Sequence, residues 1–543
     1  MADPSATVID YGAFQQPPST LFRDYLTGAP GVRPFYEGAG WDLEALLGLV
    51  DRNAALPRAR EAVVSALRRQ QEARGAAEAS RRAVQLAERG SLAVVTGQQA
   101  GLFGGPLFVL YKALAAMKVA AELEARCRRP VVPVFWVAAD DHDFAEVRGT
   151  SVLDDAGQIR PLRLNPLREP LGQPASRVVL DPAITGLLEE LERCLPAGVH
   201  REAMLRRLGE CYRPGETLSG AFARLLSGLL PGLVLLDPSD PALKALAAPV
   251  LCREILESSP SSRLAGEVGP RLLAAGYHQQ VPLRSGFFNL FVFMEGERRA
   301  VASGNGTLEV RGLGRRMPLA EAARLMEDDP EPWSPGVLLR PLVQDQLLPT
   351  VAYVGGPAEI AYHAQIGPAY AHFGIPRPAL VPRPSLTLVE SPQARALEAE
   401  GLSLLDLEAD PEGLLSRWAR EAYPDVESAF TRARDAVERE MAGLERVLAS
   451  LDPTLRAAAD GARGRALHQL EHLHEKSTRA LKKKDRSRAE RLRRTRDALF
   501  PGGAFQERGL GLLGALARHG EGLISEIRER MDPWARGHQV IYL

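Results

Sequence analysis

Cysteine is scarce in this chain, with four residues in 543. Cys127, Cys194, Cys211 and Cys252 form no CxxC pair and have no histidine at zinc-ligand spacing. That excludes a zinc ribbon or a disulfide framework and predicts reduced thiols. Charge of either sign is not in excess: 67 Lys and Arg balance 68 Asp and Glu, a net charge of −1. No global field therefore draws in nucleic acid or an acidic membrane, and any basic patch is local. No apolar run approaches the length of about eighteen residues that a membrane span needs. The opening MADPSATVIDYGAF has neither a basic n-region nor an apolar h-region, which argues against a signal peptide and for a cytoplasmic protein. Also missing are the Gly-Lys-Ser/Thr ending of a Walker A loop and a GxGxxG fingerprint. What remains is ordinary globular composition, 45% hydrophobic and 25% charged, in a chain long enough for roughly two to four domains.

The richest stretch runs from Val94 to Glu146. An apolar run over Leu92–Val95 enters a Gly/Gln loop from Thr96 to Pro106. A helical segment follows from about Leu107 to Ala125, then a second apolar run over Val131–Ala138 ends in Asp140, Asp141, His142 and Asp143. This reads as one βαβ unit of a parallel sheet, and ligands sit outside the carboxyl ends of such strands. The unpaired N–H groups at the start of the helix suit an anion. Gly101, Gly104 and Gly105 let backbone approach a ligand closely, and Pro106 suits the first helical turn. Gln98 and Gln99 add neutral donors and acceptors. Lys112, about two turns in, reaches phosphate only if its side chain folds back. The plain alternative is a tight turn that packs a helix on a sheet. The acidic cluster offers carboxylates and an imidazole for an amine, a ribose or a nucleotide-borne Mg2+, against the simpler role of capping the next helix.

The remaining chain divides by pattern. Residues 1–90 read as an N-terminal helical extension and 91–150 as the first half of a Rossmann-like core. Residues 151–230 read as a mainly helical first insertion and 231–260 as a core strand and helix. Phe- and Val-rich alternation marks 261–335 as a second insertion with β-hairpins. Core character returns over 336–390, where Thr350–Val354 is β-prone, Gly355, Gly356 and Pro357 make a turn, and a helix runs from Ala358 to Phe373 with Gly374 as its stop. Residues 391–510 read as a helical coiled-coil arm: Val437, Met441, Leu444, Leu448, Leu451 and Leu455 keep heptad spacing, and Gly461 and Gly464 mark the break before a returning helix. Residues 511–543, ending in GHQVIYL, read as a tail docking on the core. The fold class is α/β: a Rossmann-like parallel sheet with two insertions and a C-terminal α-helical coiled coil.

A second constellation joins Tyr353, Gly355, Gly356, Glu359, Tyr362, His363 and Gln365. Glu359 and His363 are four apart and share a helix face. Glu359 suits a substrate amine and His363 acid/base work; a buried core histidine beside a dipole-favoured Glu is the alternative. Arg383 and Ser385 follow a strand on a loop fit to grip phosphate, and Arg340 has similar standing. The basic run Lys482, Lys483, Lys484, Arg486, Arg488, Arg491, Arg493, Arg494 and Arg496 lacks interleaved aromatics. It reads as a solvated helix face pairing with Asp425, Glu427, Glu438, Glu440 and Glu445 on the opposing helix.

The segments TGQQAGLFGGPLFVLYKA, VFWVAADDHDF, SPGVLLRPLVQDQLLPTVAYVGGPAEIAYHAQI and VPRPSLTLVE, with DYLTGAPGVRPFY and the closing HQVIYL, strongly resemble the cysteine-adding enzymes of bacillithiol biosynthesis, the BshC family. The resemblance implies ligation of the carboxyl group of L-cysteine to the amine of glucosaminyl-malate. It implies a fold like class I aminoacyl-tRNA synthetases, with two connecting-peptide insertions and a coiled coil that makes a homodimer. GLFGGP lies where those synthetases carry His-Ile-Gly-His, and Arg383–Ser385 near their lysine signature; the histidines and lysines are absent here. Activation by ATP with Mg2+, through an adenylate, an acyl phosphate or another donor, stays open.

On this reading His142, His363 and Asp141 are the expected catalytic groups. Gln98, Gln99, Asp140, Asp143, Arg340, Tyr353, Glu359, Tyr362 and Gln365 bind substrate. Gly101, Gly104, Gly105, Lys112, Gly355, Gly356, Arg383 and Ser385 bind the nucleotide. The rivals are a nucleotide- or thiol-binding scaffold without turnover and an RNA-binding relative of synthetases that uses the basic arm.

Overall fold

Strands buried on both faces read as continuous apolar runs, and the runs at Leu92, Val131 and Thr350 become the middle of one parallel sheet. The computed structural model describes residues 6–36, 40–283, 286–304, 306–408, 411–484 and 486–543. The chain forms two units, Met1–Leu388 with Phe505–Leu543, and Val389–Ala504.

In the first unit, β1 (Leu92–Gln98) leads through helix α1 (Leu107–Cys127) to β2 (Val131–Val137), and β3 (Val234–Leu236) follows the first insertion. After the second insertion come helix α2 (Arg340–Leu347), β4 (Thr350–Gly355), α3 (Pro357–His363), α4 (Gly367–Phe373) and β5 (Ala379–Pro382). The sheet order is β5-β4-β1-β2-β3, with every pair parallel. All seven residues of β2 are buried. Its Pro133 carries no N–H for a ladder bond but precedes Val134, where pairing with β3 begins. The chain moves from β1 outward through β2 to β3, then returns to the other side of β1 as β4 and β5. The order therefore reverses between β1 and β4, and a crevice at such a point is where open α/β sheets bind ligands.

The first insertion holds an antiparallel hairpin, Gly149–Leu153 with Ile159–Arg163, and helices Ala183–Cys194, Val199–Cys211 and Leu218–Leu229. The second holds a five-stranded antiparallel sheet in which Phe287–Met294 lies between Glu297–Gly304 and Trp333–Pro335. A further sheet joins the two ends of the chain, with Ala6–Ile9 antiparallel to His538–Tyr542 and Ser385–Val389 on the other side of that C-terminal strand. The N-terminal stretch is thus not helical throughout, and the apolar tail enters as a strand.

The helix expected over Ala358–Phe373 is two, α3 and α4. Pro368 sits in the first turn of α4, where its missing N–H does no harm, whereas one continuous helix would place it inside. Gly374 ends α4 at φ +70°, as expected.

In the second unit, Pro424–Leu451 and Leu455–Lys484 form a helical pair. The turn between them is Asp452–Thr454, around Pro453, and not Gly461 and Gly464, which lie inside the second helix. Leu455 consequently starts the returning helix instead of ending the first. The acid–base pairing also differs from expectation. Glu445 meets Arg456 and Arg463, and Glu427 meets His474. Arg488 and Arg491 converge on the nearly buried Glu400, while Arg486 and Arg494 pair with Glu490 on their own helix. The side chains of Lys482, Lys483 and Lys484 lie outside the described residues.

Candidate active site

At the reversal point the carboxyl ends of β1, β2 and β4 open into two adjoining cavities. The first, of about 340 Å3, is lined by Gln98, Gln99, Phe108, Lys112, Glu146, Tyr353, Gly356, Glu359, Tyr362, Arg383 and Arg508. The second, of about 500 Å3, is lined by Asp140, Asp141, His142 and the inner face of the second insertion, including Phe287, Asn289, Phe291 and Arg298. Trp136, Ala138, Val337 and Arg340 belong to both walls. Close packing makes this junction: a Cβ on Gly97 of β1 would lie 2.7 Å from the Trp136 carbonyl oxygen, so glycine there sets the seat of the shared tryptophan.

The first cavity rests on a buried polar network. Lys112 points back along α1 toward the strand ends, donating to the Gly97 carbonyl at 2.8 Å and to Gln98 Oε1 at 3.0 Å, and forms an ion pair with Glu359. Glu359, in the first turn of α3, also accepts from the Gly356 N–H at 2.8 Å and from the Tyr353 hydroxyl. Burial pushes its carboxyl up, but the Lys112 ammonium and these donors outweigh that and hold it below its ordinary range. Arg340, at the start of α2, donates to the Tyr362 hydroxyl at 2.6 Å and to Gln344 at 3.2 Å. Its guanidinium lies 5.7 Å from the Tyr353 ring centroid. Arg383 is tied to buried Glu507 at 2.6 Å. With Lys112 matched by Glu359 and Arg383 by Glu507, the lining's remaining charges are Arg340 and Arg508 against Glu146, a small cationic excess that suits a phosphate or carboxylate.

Between the cavities Gln99 donates to Asp141 at 2.8 Å and to Glu146 at 2.7 Å. Asp140 is instead neutralised by Lys244 at 2.9 Å. Among the described residues neither Asp141 nor Glu146 has a Lys or Arg ion-pair partner, so these two carboxylates are the ones placed to receive an ammonium group. His142 is half-buried. Burial and the Arg298 guanidinium push its imidazole below the usual histidine value, against the opposing pull of Asp141 and Asp143.

Several expected residues stand elsewhere. His363 is buried, with its ring 4.9 Å from the Tyr362 ring and 5.4 Å from that of Tyr353. Among the described residues neither ring nitrogen has a hydrogen-bond partner, and burial pushes the imidazole well below the usual histidine value. It supports the cleft tyrosines from behind and lines neither cavity. Gln365 is fully buried and clamps the backbone of Val281 through both its amide atoms. Asp143 accepts from the Glu146 N–H and caps the short helix Phe144–Val147. Ser385 bonds to His538 inside the sheet that joins the chain ends. Gly355 is buried and its carbonyl accepts from the Arg383 N–H.

The glycine loop is the largest departure. Gly101, Gly104 and Gly105 are buried. Gly104, at φ +91°, faces Leu225 and Leu226, and its N–H donates to the Tyr212 hydroxyl at 3.3 Å. The first N–H of α1, on Leu107, is taken by the Leu510 carbonyl at 2.9 Å. The loop that looked like a phosphate cradle is filled by apolar side chains and backbone. The strand that precedes it delivers Gln98 and Gln99 to the cleft.

Trp136, Glu146, Phe291, Arg298 and Arg508 were not foreseen. Trp136 was legible as the last aromatic before the acidic cluster, whereas Arg298 in a β-hairpin reads as a surface residue. A separate cavity of about 480 Å3, lined by Tyr25, Tyr36, Trp41, Trp534 and Arg536 among others, holds none of the expected catalytic or binding residues.

Residues 8–384 match the profile of the bacillithiol biosynthesis BshC N-terminal Rossmann-like domain, and 386–543 that of the BshC C-terminal coiled-coil domain. A Salinibacter ruber protein is 32% identical over 99% of this chain and 100% of its own length. One from Solibacter usitatus is 34% identical over 96% of this chain and 97% of its own. One from Koribacter versatilis is 32% identical over 93% and 94%. All three are named, provisionally, cysteine ligase BshC.

Proposed function

The chain belongs to the BshC family of bacillithiol biosynthesis, and from that membership we propose that it is a cysteine ligase. The reaction is amide formation between the carboxyl group of L-cysteine and the amine of glucosaminyl-malate, with ATP as the activating co-substrate. Joining a free carboxylate to an amine is uphill in water, and ATP supplies the activation when bound.

The observation that carries the reading is the shared wall of the two cavities. Reactants held one in each lobe meet across Trp136 and Arg340, and alignment of two bound reactants supplies much of the rate in such a reaction. The cationic side, with Arg340, Arg383, Arg508 and Lys112, takes phosphates or the malate carboxylates. Asp141 and Glu146 take the cysteine ammonium. Mg2+ enters with the nucleotide. Arg340 and Gln98 face the place where negative charge develops, and Phe291 and Trp136 keep the junction dry.

Purified protein given ATP, L-cysteine and glucosaminyl-malate tests this. A thiol product with stoichiometric pyrophosphate supports activation as an adenylate, and with phosphate, activation as an acyl phosphate. No product in any condition supports a scaffold without turnover. The helical pair of the second unit leaves Leu444, Val447, Leu451 and Leu473 exposed in the single chain, which supports self-association through it. Sedimentation velocity on the full chain distinguishes dimer from monomer.

A further inference from the structure

We propose that Arg298 is a positioning residue of this site: it fixes His142 as the neutral imidazole with its proton on Nε2, so that His142 offers a substrate oxygen a hydrogen-bond donor and does not act as a base. The proposal rests on the ligase reading of the cleft for its functional meaning, and on geometry alone for the tautomer.

Arg298 lies on Glu297–Gly304 of the second insertion, where sequence gives no reason to single it out. Its guanidinium is fixed from every side. Nε donates to Ser334 Oγ at 2.9 Å, Nη2 to the Pro335 carbonyl at 3.0 Å, and the group stacks 3.7 Å from the centroid of the Phe291 ring. Nη1 then points at His142 Nδ1 from 3.1 Å. A guanidinium has five donors, no lone pair to accept with, and does not deprotonate in proteins. Nδ1 must therefore be the acceptor, and a neutral imidazole that accepts at Nδ1 carries its proton at Nε2.

The competing partner does not reverse this. Asp141 Oδ1 stands 3.8 Å from Nδ1, beyond hydrogen-bond reach. Its carboxylate is already engaged by Gln99 and by the Asp143 N–H at 3.3 Å. Among the described residues Nε2 has no protein partner, while the half-buried ring lines the second cavity. An Nε2–H without a partner on a cavity wall is a donor for a ligand oxygen. A general base at this position would need a lone pair on the atom that carries the proton. Burial, and after it Arg298, disfavours the imidazolium and outweighs Asp141 and Asp143, which favour it, so the ring is held in the neutral form that the hydrogen bond requires.

The tautomer is read directly, without activity, by 15N NMR of the full chain labelled at histidine, with the His142 signals assigned by their loss in His142→Gln. At pH 7 we expect Nδ1 in the unprotonated range and Nε2 in the protonated range. A protonated Nδ1, or an imidazolium, overturns the proposal whatever the enzyme does. In Arg298→Met the Nε2–H tautomer falls back to the modest excess of a free imidazole and the imidazole pKa rises, since a like charge has been removed. Arg298→Lys, which keeps a charge and a donor, shifts it less and serves if the Met variant does not fold.

Activity supplies the second arm. A glutamine amide at 142 offers Arg298 an acceptor and the ligand a donor, so His142→Gln retains activity within about tenfold while His142→Ala loses about a hundredfold. A fall in kcat places the accepting oxygen on the activated carboxyl, and a rise in KM places it on the sugar; both support the donor. Equal inactivation by Gln and Ala, with the wild type active, overturns it. Should the wild type make no product while Nε2–H is seen, the ligase reading fails and the tautomer assignment stands.

Discussion

Replacing Glu359 with glutamine tests whether the buried ion pair at the floor of the cleft is a structural necessity. The change keeps shape and a hydrogen-bonding oxygen for Tyr353 but removes the counter-charge of Lys112, whose side chain is 2% exposed. Breaking one partner of a buried pair leaves an uncompensated charge and destabilises by about 3–5 kcal/mol. Lys112 retains the Gly97 carbonyl and Gln98, and the Glu359 side chain is 20% exposed. Both place the expectation near the lower end, about 3 kcal/mol. Urea unfolding followed by tryptophan fluorescence reads this in the correct unit, because four of the five tryptophans (Trp41, Trp136, Trp333 and Trp534) lie outside 389–504. Lys112→Met completes a cycle. With both charges gone, the double variant should be more stable than the sum of the two single losses predicts, by roughly 1.5 kcal/mol or more. A Glu359→Gln loss under about 1 kcal/mol, or simple additivity, would refute the claim that these charges depend on each other.

Two further outcomes concern the chain ends and the junction. His538 is buried between Ser385 and Thr387, accepting or donating at 2.8 Å on each ring nitrogen, and burial lowers its pKa to about 4. Its folded value lies below the unfolded one, so its contribution is complete above about pH 6.5 and is lost as pH falls toward 4. At about 1.4 kcal/mol per unit, roughly 3.5 kcal/mol disappears across that window. His538→Gln should flatten the urea midpoint against pH over the same range. Arg340→Met removes a guanidinium that lines both cavities, and should lower kcat/KM by about ten- to a hundredfold, with Arg340→Lys in between. Unchanged kinetics in the Met variant would remove Arg340 from the site.

How much of this was legible in sequence depended on periodicity and on chain distance. The sheet was readable because β1, β2 and β4 each carry a continuous apolar run with no alternation, the pattern of strands buried on both faces. The residues brought to the cleft by strand ends were readable for the same reason: Gln98, Gln99, Asp141, His142, Tyr353 and Glu359 each follow or end such a run. Side chains that turn inward after a strand were not distinguishable from those that line a cavity. Thus His363 and Glu359 share a helix face on paper, yet one turn separates a cleft carboxylate from a buried ring. The glycine loop misled because its partners, Tyr212, Leu225 and Leu510, come from more than a hundred residues away. Arg298 was invisible for the same reason: only the folded second insertion brings it to His142, 156 residues away. In the helical arm, glycine was weighted as a breaker at 461 and 464, where a long, well-paired helix carries it, while Pro453 set the turn.

The central claim is that the strand ends of β1, β2 and β4 hold both reactants in one two-lobed cleft. A crystal structure of the protein soaked with L-cysteine and glucosaminyl-malate tests it most directly. The account expects density on both sides of Trp136, with a ligand carboxylate on Arg340 and an ammonium beside Asp141 or Glu146. Ligands seated in the cavity of Tyr25, Trp41 and Trp534, with no density between Trp136 and Arg340, would contradict it.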